Sequence, residues 1–171
     1  MRSFRLPPIW LALALLVAGA CGSPPPLPKV DACALFPKED AEAIAGVPMV
    51  AAYGSARGGA ENTDPGECVY ASKGKDNPRR LGLLVQPFAT REEAIRIFEL
   101  TTAQLEGFAG RPPQPVPGLA DRALWAGGQL NKLFLLRGRF RLVIGAMATD
   151  NDSSLAAAKA VATRALARLP G

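Results

Sequence analysis

Few side chains in this chain can do chemistry. Of its 171 residues three are cysteine and none is histidine. Without histidine there is no Ser-His-Asp or Cys-His nucleophile and no histidine-based metal site. No G-x-S-x-G elbow occurs. Serine–lysine catalysis is formally open, but Ser72 and Lys73 are adjacent, the wrong spacing for that pair. The run TDNDSS, with Asp150, Asn151 and Asp152, has the clustered oxygens that calcium wants but lacks the glycine and distal glutamate of a calcium loop. A polar loop capping the last helix accounts for it. Gly58-Gly59 is followed by no G-K-S or G-K-T, so it is no phosphate loop. Arg137, Arg139 and Arg141 cluster at a hairpin tip. They could meet lipid phosphates or an acidic polymer; the plain reading is a solvated turn that discourages edge pairing. Trp125 and Phe134 could line an apolar pocket, although core packing is the commoner role of such residues. The expectation is a chain that is not an enzyme and takes neither cofactor nor metal.

The cysteines are the informative residues, and the segment before the first one says why. Arg2 and Arg5 make a positive start, Ile9 to Val17 is almost unbroken apolar chain, and Ala18, Gly19 and Ala20 are small. That is the layout of an export signal. The run from Ile9 to Ala20 is shorter than the roughly 20 apolar residues that cross a bilayer. Ala18-Gly19-Ala20-Cys21 resembles the bacterial lipobox, with alanine where leucine is commonest; the Cys21 thiol would accept the diacylglycerol. Gly22 to Pro28 (GSPPPLP) then reads as a polyproline spacer. The expected organisation is a signal peptide over residues 1–20, an anchor and tether over 21–29, and a single α+β domain over 30–171. The expected location is the outside of the cell membrane, or the outer membrane, with the domain facing periplasm or exterior. Gly22 rather than aspartate after the lipid cysteine is compatible with outer-membrane sorting. In that oxidising compartment Cys33 and Cys68 form an even pair and read as one disulfide. The formal charge of +5 falls to about +3 without Arg2 and Arg5, too mild to suggest nucleic acid.

The elements that must position these residues are legible in part. Pro37 to Ala45 looks like a short helix with Pro37 in its first turn and Gly46 as its stop. Strands are expected at Met49 to Ser55, Cys68 to Ser72 and Leu81 to Phe88, with a loop at Ala56 to Gly66 and a turn at Gly74 to Pro78. Thr90 and Glu93 have capping-box spacing, and Ile95, Phe98, Thr102 and Leu105 give the following helix an apolar face. Gly110 to Gly118 breaks the chain. Arg122 to Ala126, Lys132 to Leu136 and Phe140 to Ala148 read as strands, with Arg137-Gly138-Arg139 as a hairpin turn. Ser153 or Ser154 would cap a last helix that buries Leu155, Ala158, Ala162, Ala165, Leu166 and Leu169. The order suggests a loose αβββ duplication plus a C-terminal helix. The fold class is α+β: an antiparallel sheet of about six strands with helices packed on one face.

Asp31-Ala32-Cys33-Ala34-Leu35-Phe36, Glu39-Asp40-Ala41, Gly46 and Cys68-Val69-Tyr70 together resemble a family of bacterial envelope lipoproteins of unknown function, best populated in actinobacteria. Its pattern is D-x-C-x-L-L, a short helix ending in glycine, and a second cysteine followed two residues on by an aromatic. Val116-Pro117-Gly118-Leu119-Ala120-Asp121-Arg122-Ala123 resembles its later V-x-G-L-G-D-x-A turn. Tyr70 stands where tryptophan is usual and Ala120 where glycine is usual. The resemblance implies a lipid-anchored α+β domain with its first two cysteines paired, and no catalytic residues.

The functional expectation is a non-enzymatic binding or interaction module held at the membrane by its N-terminal lipid, with an envelope protein as partner. The alternative is a carrier or sensor of a small apolar or envelope-derived ligand, in a pocket lined by Leu83, Val85, Phe98 and Trp125. A hydrolase of unrecognised type is the third reading.

Overall fold

The computed structural model describes residues 27–54, 66–73 and 78–170. The signal segment, Cys21, most of the tether, and the expected loop and turn after the first and second strands lie outside the described residues. The elements run α1 (Ala32–Leu35), α2 (Lys38–Ala45), β1 (Met49–Gly54), β2 (Glu67–Ser72), β3 (Arg80–Pro87), α3 (Arg91–Thr102), α4 (Leu105–Ala109), β4 (Gln114–Pro115), β5 (Arg122–Ala126), β6 (Lys132–Arg137), β7 (Phe140–Met147) and α5 (Asn151–Arg168). This is an α+β fold. Its sheet is antiparallel and seven-stranded, in the order β1-β2-β3-β7-β6-β5-β4.

The seventh strand, β4, is a two-residue edge in the segment expected only to break the chain. Proline is tolerated there because an edge strand has one unpaired side. The two meanders β1-β2-β3 and β5-β6-β7 lie side by side with β3 against β7, so the strands do repeat. The helices do not follow that repeat. α1, α2 and α5 share one core with Leu81, Leu83, Val85, Leu133, Leu135, Leu142 and Ile144. α3 and α4 form a second core on the opposite face, with Ala94, Phe98, Leu105 and Ala109 against Phe88, Ala126, Phe134 and Leu136. Helices packed on one face therefore give way to helices on both. The reason is in β6: in KLFLLR the four residues Leu133 to Leu136 are all buried, and successive side chains point to opposite faces.

Local chemistry fixes the helix ends. Asp31 accepts hydrogen bonds from the Cys33 and Ala34 amides and so starts α1, a turn not anticipated from the sequence. Pro37 is the residue before α2 rather than inside its first turn, and Gly46 ends the helix with φ 68°. Thr90 Oγ1 accepts from the Glu93 amide, as its spacing implied. Along α3 the fully buried residues are Ala94 and Phe98, while Ile95 and Thr102 are only half-buried. α5 is capped by Asp150, which accepts from the Ser153 amide at 2.7 Å, not by Ser153 or Ser154. Ser154 is buried instead. Its hydroxyl accepts from the Ala148 amide and donates to the Asp150 carbonyl, tying α5 to the end of β7. Ala158, Val161, Ala162 and Ala165 are fully buried against the sheet, whereas Leu155, Leu166 and Leu169 pack at the rim of that core. The small residues let the helix lie close to the strands.

Candidate functional site

The cysteine pair is joined: Cys33 on α1 is disulfide-bonded to Cys68 on β2, Cα–Cα 5.1 Å. The residues around it act together. Asp31 caps the turn that carries Cys33. Tyr70, two residues beyond Cys68, meets Phe36 edge to face at 5.7 Å. Burial of Tyr70, with Glu39 and Asp31 nearby, raises its phenol above the usual value. Asp40 on α2 is paired with both Arg164 and Arg168 of α5. Burial raises its carboxyl, but the two guanidiniums outweigh that and hold its pKa below the ordinary value. These groups fasten α1 and α2 to the sheet and to α5.

The later motif is also structural. Gly118 turns the chain at φ 78°. Asp121 then accepts from the Gly138 amide at 2.9 Å and pairs with Arg137 and Arg91. It thereby holds the tip of the β6–β7 hairpin, where Gly138 has φ 55°.

The four residues expected to line one pocket do not meet. Leu83, Val85 and Trp125 belong to the core under α5, and Phe98 lies across the sheet under α3. The four do not line one pocket, because the three strand residues share one face of the sheet and Phe98 belongs to α3, which packs on the other. Trp125 and Phe134 are separated in the same way. The arginine trio also divides. Arg137 and Arg139 are at the tip, with the Arg139 guanidinium 5.9 Å from the Phe140 ring. Arg141 turns to the opposite face, where it donates to Thr101 Oγ1 at 2.5 Å and Gln86 Oε1 at 2.7 Å. Burial lowers its pKa.

Ser72 has a second lysine at the serine–lysine spacing: Lys75, three residues on, completes an S-x-x-K pattern. Yet Ser72 sits on a strand and its hydroxyl accepts from the Arg79 amide at 2.9 Å, while Lys75 lies outside the described residues. Asp150 of the TDNDSS run spends its carboxylate on Ser153 and Thr149, which lower its pKa. Among the described residues no group of three His, Cys, Asp or Glu side chains could hold a metal ion.

Two glycine clusters escaped the sequence reading. At the end of β5, a Cβ on Gly127 would lie 1.9 Å from Arg111 Nη2, 2.2 Å from Asn151 Oδ1 and 2.8 Å from Trp125 Nε1. Arg111 and the Gly128 amide both donate to Asn151 Oδ1 here, binding the end of α4 to the start of α5. The second cluster is the opposite case. Val69, Gly82, Gly145 and Lys132 form one row across four strands of the half-covered face. The row is about 14 Å long at ordinary strand spacing. Its two central residues carry no side chain, and a Cβ on Gly145 would meet nothing within 4 Å. The result is an open groove of about 310 Å³. Leu84 and Val143 form one wall, Arg80 and Met147 the other, and Leu130, Asn131 and Lys132 close one end. Asn131 has φ 45°, and its Oδ1 is buried without a partner among the described residues. Isolated glycines in LGLLVQP and FRLVIGAM are the sequence signal that could have located this place.

No family model, no curated protein and no solved structure matches this chain. The candidate site therefore stands on its own geometry.

Proposed function

We propose that this chain is an envelope lipoprotein, anchored by acylated Cys21, whose folded domain is a non-enzymatic interaction module. Its partner is an envelope protein, and the groove over Gly82 and Gly145 takes the contact. The observation that carries this reading is that two adjacent strands both supply glycine on this face, where the Val69 side chain leans over Gly82 and open space lies over Gly145. Bare backbone flanked by Leu84, Val143 and half-exposed Met147 gives an incoming side chain an apolar seat. The carrier reading has less support, because the residues expected to line its cavity are packed on two sides of the sheet.

The anchor is tested by Cys21→Ser, which should move the protein out of the membrane fraction; unchanged retention would defeat the lipoprotein reading. The groove is tested by Gly145→Leu, which fills it without touching the covered core. Partner recovery from the lipid-anchored protein should fall at least tenfold while the thermal midpoint stays put. Undiminished recovery would defeat the groove as the contact.

A further inference from the structure

We propose that Arg141 receives a carboxylate of the envelope partner, an aspartate or glutamate side chain, at the edge of α3 beside the groove. The inference rests on the interaction reading above and adds the chemistry of the partner to it.

The first argument is where the arginine stands. Arg141, Val143, Gly145 and Met147 alternate along β7 and share the half-covered face. In the sheet register Arg141 lies between Leu136 of β6 and Gln86 of β3. Leu136 is buried in the core under α3 and α4, whereas Gln86 is only half-buried. α3 packs over β6 and β7. Arg141 therefore marks the border of that cover. The groove begins one row further on, at Leu84 and Val143. Arg141 and Gly145 are four residues apart on one strand, about 13 Å. One segment of a partner can span both.

The second argument is which hydrogen bonds are left over. Arg141 donates to Thr101 Oγ1 and to Gln86 Oε1. Thr101 Oγ1 spends its own proton on the Ile97 carbonyl. A guanidinium has five N–H donors and no acceptor. Gln86 must therefore turn its oxygen to Arg141, which sends its NH2 the other way. The groups that remain are all donors: the spare N–H groups of Arg141 and both of Gln86. The Arg141 Nε–H is buried without a partner among the described residues. Such a cluster calls for a group that only accepts, and among side chains that is a carboxylate.

The third argument is charge. The partners of Arg141 are both neutral, so its charge is partly buried without an anion. The carboxylates of this face are placed elsewhere. Glu99 pairs with Arg122 at 2.7 Å, and Asp121 is shared by Arg91 and Arg137. Glu92 and Glu93 are in the first turn of α3, about 12 Å or more along the helix from Thr101. Glu106 is on α4, which packs on β5, and Glu67 is on β2; each of those strands is two places from β7. A buried cation is stabilised by a paired anion, and arginine meets a carboxylate through two parallel bonds. The same donors would take a phosphate. Exposed Leu100, next to Thr101, and the apolar wall of Leu84 and Val143 favour an acid carried on a protein segment.

The test uses the full-length lipidated protein in its native envelope, with Arg141→Lys and a carbodiimide that couples an amine to a touching carboxylate as an amide. The lysine keeps the charge and supplies the amine. Gln86→Lys, with Arg141 intact, probes the same place should Arg141→Lys not fold. Peptide mass analysis should find residue 141 or 86 joined to an aspartate or glutamate of another protein. An adduct at neither position, or only to carboxylates of this chain, would overturn the proposal. Arg141→Gln should lower partner recovery about tenfold, while Gln at exposed Arg96 on the same helix should not; undiminished recovery with Arg141→Gln would also overturn it. NMR of the detergent-solubilised parent separates the two anions. Sodium acetate should shift the Arg141 Nε–H resonance, and a stronger response to sodium phosphate of equal ionic strength would make this a free oxyanion site and overturn the proposal. Failure of the groove reads differently: the adduct at 141 then persists in Gly145→Leu. Loss of recovery in Gly145→Leu with no adduct at 141 or 86 would keep the groove and remove the carboxylate site.

Discussion

The two faces of one sheet are closed in different ways. On the first, α1, α2 and α5 lie over an unbroken apolar surface, with Ala158, Ala162 and Ala165 letting α5 settle onto the strands. A disulfide and a two-arginine clamp on Asp40 fasten those helices. On the second, α3 and α4 cover only part of the sheet, and the remainder ends in a glycine row. The difference teaches that burial alone does not mark function here. The densest chemistry, cysteines and ion pairs, serves the covered face, and the candidate site lies where side chains are missing.

The comparison can be broken by removing the fastenings. The double variant Cys33→Ser with Cys68→Ser should lose about 3–4 kcal/mol in urea unfolding, since the bond spans a sequence separation of 35. A loss below about 1 kcal/mol would mean that α1 does not need its tie. Gly127→Ala should cost about 1–3 kcal/mol, because its methyl must displace Arg111, Asn151 and the Trp125 ring edge. A thermal midpoint equal to the parent's would contradict that packing.

Asp40→Asn should cost about 1–2 kcal/mol at neutral pH by leaving Arg164 and Arg168 without their anion. The sign with pH follows from the direction of its shift. A carboxylate whose folded pKa is depressed stabilises above its unfolded pKa, and that contribution is lost as pH falls through the folded value. The gap between parent and Asp40→Asn should therefore close on acidification; a gap that widens in acid would refute the clamp. The smallest effect sharpens the contrast. Gly145→Ala, with nothing within 4 Å of its new methyl, should leave stability within about 0.5 kcal/mol. A cost like that of Gly127→Ala would mean the groove is not open.

Much of this fold was legible. The strands announced themselves by alternation, as in Leu81, Leu83 and Val85, and Thr90 with Glu93 marked the start of α3. The pairing of Cys33 with Cys68 followed from parity of the remaining cysteines. Which face each helix takes was harder. The signal was present in the unalternating KLFLLR, but a short apolar run fits a central strand and a helix equally well. Asp150 took the cap from Ser153 because both are good caps, and only the close of β7 decides which is in reach. The groove was the least legible feature. Gly82 and Gly145 are 63 positions apart, and only the β3–β7 register sets them side by side.

The central claim is that the partner meets the glycine groove and not the covered face. The most direct test is photo-crosslinking in the native envelope, with a benzophenone amino acid at Met147 beside the groove or at Thr163 on the outer surface of α5. The account predicts one discrete protein adduct from Met147, lost in Gly145→Leu, and none from Thr163. An adduct from Thr163 alone, or one from Met147 that persists in Gly145→Leu, would contradict it.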